Sequence, residues 1–139
     1  MSFLVDTNVL SELSKPLPAG EVLQWFLKHE PELFVSSISL GEIRKGLEIL
    51  PLGKRRLNLE SWFRLVCERL EGRILSFNIS TAHVWGQLVG RLERKGILIP
   101  ALDSQIAATA LRHRLTVVTR NVEDFKHTGL TLINPFHVA

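Results

Sequence analysis

A chain of 139 residues with 45% hydrophobic and 22% charged side chains has the makeup of one globular domain with its own core. No apolar run reaches the ~18 residues that cross a bilayer, and hydrophobicity breaks at Asp6, so neither a membrane span nor a signal peptide is expected. The net charge of +3 and pI near 9.4 permit a nucleic-acid partner without requiring one, while a single Cys67 excludes an internal disulfide and fits a reducing cytoplasm.

The first apolar run, residues 3–5, predicts a buried strand that ends at Asp6. Thr7 and Asn8 can cap a short helix through Ser14, and Lys15-Pro16-Leu17-Pro18-Ala19-Gly20 breaks the chain. Val22, Trp25 and Phe26 carry helical spacing up to His29. Leu33-Phe34-Val35 predicts a second strand, followed by helices over residues 40–50 and 54–71, separated at Pro51. Residues 73–77 predict a third strand. Ser80 is expected to cap a helix with the stripe Trp85, Leu88, Val89, Leu92, which closes at Lys95-Gly96. Asp103 is expected to open the next helix, with Ile106, Ala107, Ala110 and Leu111 inward. Residues 116–119 and 130–133 predict strands four and five. Apolar strands alternating with helices predict an α/β fold, a parallel sheet covered on both faces, as one domain over residues 1–139.

The chain has three aspartates, Asp6, Asp103 and Asp124, and each lies where an apolar run meets a turn or a helix start. Glu42 and Asn121 have the same kind of setting. In parallel-sheet folds ligands gather at the carboxyl ends of strands, where Asp6 and Asn121 fall and which the helices opened near Glu42 and Asp103 can reach. Each residue also has an ordinary explanation. Ser39-Leu40-Gly41-Glu42 is a formal capping box, Asp103 can be an N-cap, and Asn121 and Asp124 are common turn residues. Asp6 is harder to explain in that way, because a carboxylate in a core strand needs several hydrogen bonds or a cation. Two carboxylates about 4 Å apart repel by roughly 4 kcal/mol at an effective dielectric of about 20. A converging set is therefore best accounted for by a hard divalent cation, Mg2+ or Mn2+. The five histidines show no zinc spacing, and no P-loop, dinucleotide or serine-nucleophile motif is present.

Taken in order, the series begins with Leu4-Val5-Asp6-Thr7-Asn8-Val9-Leu10 and Ser11-Glu12, then Ser37-Ile38-Ser39 leading to Glu42-Ile43 and Gly46. It continues through Gly72-Arg73-Ile74-Leu75, Asp103 with Ile106-Ala107-Ala108-Thr109-Ala110, Thr116-Val117-Val118-Thr119-Arg120-Asn121, Asp124-Phe125 and Asn134-Pro135-Phe136-His137. This ordered series resembles the PIN-domain family over almost the whole chain, and within it the VapC-type toxins of the FitB-like kind. The resemblance implies a PIN-like three-layer sandwich on a five-stranded parallel sheet. It further implies a cytoplasmic, Mg2+- or Mn2+-dependent endoribonuclease that hydrolyses RNA as the toxin of a toxin–antitoxin pair. Its implied partners are a cognate antitoxin, operator DNA reached only through that antitoxin, and further copies of itself in a homodimer or higher oligomer.

Carried over by motif, Asp6, Glu42 and Asp103 would be the metal-site acids. Many relatives have aspartate where this chain has Asn121, while others keep Asn with an acid nearby, as Asp124 would be. The fourth catalytic position therefore stays open between Asn121 and Asp124. Thr7, Asn8 and Ser104 would orient carboxylates or water, and Arg44, Lys45 and Arg120, near the motifs in sequence, could hold flanking phosphates or simply form a solvated face. The Asn121 departure keeps a second reading in play, a catalytically weak PIN-fold partner of an antitoxin–DNA complex. An aspartyl-phosphate mechanism wants a second acid two residues after the nucleophile, where Asn8 stands.

Overall fold

Strands and helices alternate along residues 1–137, the part of the chain that the computed structural model describes. The last two residues of the expected 1–139 domain lie outside the described residues. The strands are β1 (Phe3–Val5), β2 (Leu33–Ser36), β3 (Ile74–Leu75), β4 (Thr116–Val118) and β5 (Leu132–Ile133). Between them run α1 (Thr7–Glu12), α2 (Gly20–His29), α3 (Ser37–Ile49), α4 (Lys54–Arg69), α5 (Ile79–Arg94), α6 (Ala101–His113) and α7 (Val122–Phe125). All strand pairs are parallel, in the order β3-β2-β1-β4-β5.

The two-residue period of β1 divides the core. Phe3 and Val5 pack with Val9, Leu10, Trp25, Leu47 and Phe63 on one face, and Leu4 packs with Leu88, Leu92, Ile106, Val117 and Phe125 on the other. Helices therefore cover both faces, as the unbroken apolar strands require. Among the described residues no helix is long and apolar enough to cross a membrane.

The edge strands β3 and β5 are shorter than residues 73–77 and 130–133, because each has a ladder partner on one side only. Four helix starts also differ from expectation. Asp6, rather than Thr7 or Asn8, caps α1. Ser36 caps α3, its Oγ accepting from the Ile38 amide at 3.0 Å, so Ser39-Leu40-Gly41-Glu42 is no capping box and Glu42 stands in the second turn. Asn78, not Ser80, caps α5 through the Thr81 amide at 3.0 Å. Pro100 precedes α6, which places Asp103 third in the helix rather than at its cap.

The sheet order reverses direction at β1, with β2 and β3 on one side and β4 and β5 on the other. The crevice beyond the carboxyl ends of β1 and β4 is thus the topological switch point, where α/β sheets bind ligands.

Candidate active site

β1 and β4 pair Leu4 with Val117 and Val5 with Val118, so the next residues, Asp6 and Thr119, leave the sheet side by side. The Asp6 amide donates to the Val118 carbonyl at 2.9 Å. Asp6 is 3% exposed, and its carboxylate is fully engaged. Oδ1 accepts from the Thr7 amide at 2.8 Å, and Oδ2 accepts from Thr119 Oγ1 at 2.7 Å and Asn8 Nδ2 at 3.2 Å. Thr119 is fully buried and in turn accepts from the Asn121 amide at 2.9 Å. Asn8 completes the join, its Oδ1 accepting from the Arg120 amide at 3.1 Å. Thr7 serves two acids at once, its amide on Asp6 and its hydroxyl on Glu42 Oε1 at 2.7 Å.

Burial raises the Asp6 pKa, the hydrogen bonds from Thr119 and Thr7 oppose that rise, and the charge of Glu42 adds to it. Asp103 is pushed up to about 7, first by burial and then by the charge of Asp6. A hydrogen bond shared with Asp124, which favours the protonated form, and the charges of Asp124 and Glu42 push it further. Four acids, from the cap of α1 and from α3, α6 and α7, therefore act on one another at the switch point. None of them forms an ion pair among the described residues, whereas Glu12, Glu30, Glu32, Glu48, Glu60 and Glu123 all do.

Among the described residues no three carboxylate, imidazole or thiolate groups close around one point as a ligand cage. The convergence of Asp6, Glu42 and Asp103 is electrostatic and open, with the Asp6 oxygens already held by Thr7, Asn8 and Thr119. That arrangement fits Mg2+ or Mn2+ better than zinc. The donors are oxygens, and Mg2+ characteristically takes one or two carboxylates while keeping several waters.

The sequence model of the PIN domain matches residues 3–130. The chain belongs to the PIN-domain family. It is 38% identical to the VapC ribonuclease Y4jK of Sinorhizobium fredii, over 98% of this chain and 99% of that protein. It is 35% identical to the toxin FitB of Neisseria gonorrhoeae, over 96% and 98% respectively. A solved structure of FitAB bound to an IR36 DNA fragment superposes with a TM-score of 0.92 at 32% identity, covering 99% of this chain and 97% of that one.

Within this PIN domain the remaining predicted residues separate. Asp124, though exposed, is the group that adjoins Asp103. Asn121 precedes α7 without a capping side-chain bond, and among the described residues its amide alone reaches the site, on Thr119. The Ser104 hydroxyl donates to the Ala101 carbonyl and accepts from Trp85 Nε1 at 2.8 Å, which ties α6 to α5 and leaves no bond to an acid. The Arg120 guanidinium lies 3.8 Å over the Phe136 ring. Ser39, one turn before Glu42, is fully buried with a hydroxyl that has no partner among the described residues. Thr119 is the residue that sequence reasoning passed over. Its signal was its phase, since it follows Val117-Val118 as Asp6 follows Leu4-Val5.

Proposed function

We propose that this PIN domain is a metal-dependent ribonuclease that acts as the toxin of a toxin–antitoxin pair. The observation that carries the reading is the cluster of four carboxylates at the β1–β4 switch point, none of which forms an ion pair among the described residues. Relatives named as a VapC ribonuclease and as toxin FitB, matched over nearly their full length, support it. Asp6, Glu42 and Asp103 would hold Mg2+ or Mn2+, with Asp124 as the adjoining fourth acid. When bound, such an ion acidifies water and polarises a phosphoryl oxygen.

The chain's own residues have separate tasks. Thr119, Thr7 and Asn8 favour the ionised form of Asp6 by donating to it, against the burial that raises its pKa. Thr7 also fixes Glu42 relative to Asp6, so that two acids from different elements keep one spacing. Asp103, titrating near neutrality, gives up its proton as positive charge enters. The FitAB–DNA complex supports a cognate antitoxin and, through it, operator DNA as partners; assembly of further copies of this chain belongs to the same reading.

A catalytically weak binding partner is the second reading, favoured by the open acid cluster and by an Asn121 side chain that makes no hydrogen bond among the described residues. One assay separates them. The purified protein, freed of its partner, is expected to cleave RNA with Mg2+ or Mn2+ and to stop with chelator. Cleavage at the parent rate by Asp6→Asn or Asp103→Asn would sink the proposed roles, and stoichiometric RNA binding without product would favour the second reading.

A further inference from the structure

A cleft of about 550 Å³ lies between the α1–α2 connection and the first turns of α4, lined among others by Ser14, Lys15, Lys54, Arg55 and Asn58. Its charge is one-sided. Lys15 bonds Glu12 Oε1 at 2.8 Å, but Glu12 is buried and its other oxygen accepts from the Ala19 amide at 2.9 Å, so that carboxylate is committed to holding the connection. Lys54 and Arg55 are exposed and form no ion pair among the described residues, unlike Arg44, Arg56, Arg69 and Lys126. Lys15, Lys54 and Arg55 thus line one groove, Lys15 paired with Glu12 and the other two without an ion pair among the described residues. Such a groove favours a polyanion that runs along it.

Position gives the groove its partner. Asp6 caps one end of α1 and Ser14-Lys15 follow the other, and six helical residues span only about 9 Å. Between the two, Arg120 acts on Glu12 through space, and its amide is held by Asn8, whose side chain touches Asp6. A line of positive charge therefore runs from the acid cluster, past Arg120 and Lys15, into the cleft. We propose that Lys15, Lys54 and Arg55 bind the phosphate backbone of RNA flanking the cleaved bond, a proposal that rests on the ribonuclease reading above.

The test compares two double variants in the full chain carrying Asp103→Asn, so that a single-stranded RNA oligonucleotide of mixed sequence survives in the presence of Mg2+. Lys54→Gln with Arg55→Gln should weaken RNA binding about ten-fold near physiological salt, and should flatten the slope of log affinity against log salt by ~0.7 for each phosphate that is no longer neutralised. Arg94→Gln with Lys95→Gln removes equal charge from exposed positions at the end of α5 and should leave both quantities as in the parent. The exchange of Lys54→Arg with Arg55→Lys keeps the charge and should keep the affinity.

Equal losses in the two Gln pairs, or no loss in either, would overturn the proposal. So would a Lys54/Arg55 variant that binds RNA normally but no longer binds the antitoxin, which would make the groove a protein-docking surface. If the unsubstituted chain with Mg2+ fails to cleave RNA, the ribonuclease reading falls and takes this inference with it. If it cleaves while the Lys54/Arg55 pair binds like the parent, this inference alone falls.

Discussion

Helix α3 carries two glutamates whose surroundings could hardly differ more. Glu48, on the outer face, accepts from Arg44 at 3.4 Å and Arg56 at 3.1 Å, and Glu60 of α4 joins the same arginines. Glu42, under two turns earlier, faces the switch point, where the Thr7 hydroxyl donates to it and its charged neighbours are Asp6 and Asp103. On the α3–α4 surface the protein balances its own charge, and solvent-screened pairs of that kind contribute ~0–1 kcal/mol. At the carboxyl ends of β1 and β4 it accumulates negative charge in partly buried positions, which disfavours the ionised forms unless a cation is supplied from outside. The lesson is that a site can be recognised by the counter-charge the protein does not provide.

The comparison breaks most readily at Asp103. Asp103→Asn should lower kcat/KM for RNA by about 10³-fold, the consequence of several kcal/mol of lost charge stabilisation, while Glu48→Gln should leave it unchanged. Equal damage by both would erase the distinction between the two regions. Thr119→Val tests the support beneath Asp6. It removes the 2.7 Å bond to Oδ2 and the acceptor of the Asn121 amide. Activity should fall about 10–100-fold, and urea unfolding should show a loss of about 1–3 kcal/mol.

A smaller effect sharpens the electrostatic side. The Asp103 carboxyl titrates at 3.8 when unperturbed and at about 7 in the fold, so between those values the native state binds more protons than the unfolded chain. Its contribution to stability is complete below 3.8 and is lost as pH rises through about 7. Without divalent ions, the melting temperature of the parent relative to that of Asp103→Asn should therefore drop between about pH 5 and about pH 8. Referring to that variant cancels His113, which burial holds below the usual imidazole range and which works in the opposite direction. A flat difference would show that Asp103 does not sense its neighbours. The smallest effect belongs to the paired surface, where Glu60→Gln should cost less than about 1 kcal/mol and leave cleavage intact.

Much of this was legible in the chain. Apolar runs ending at Val5, Val35 and Val118 placed three strands, and alternation with helices implied the parallel sheet. The ordered acids and the PIN-domain resemblance marked Asp6, Glu42, Asp103 and Asp124. Helix caps were less legible, because Ser36, Ser37 and Ser39 are chemically equivalent candidates and the end of β2 decides among them. Thr119 offered only its phase as a signal, and the strand register is what turns that phase into a role, since its partner Asp6 stands 113 positions away. Ser104 was misleading for the opposite reason. It neighbours Asp103 in sequence, yet a helix turns adjacent residues about 100° apart, which points its hydroxyl toward Trp85 of α5.

Calorimetric titration of the metal-free protein with Mn2+ near about pH 6.5, in buffers of different ionisation heat, probes the central claim most directly. The parent should bind Mn2+ and release protons as Asp103 ionises, and Asp103→Asn should bind weakly without that release. Equal binding by both proteins, or no binding by the parent, would contradict it.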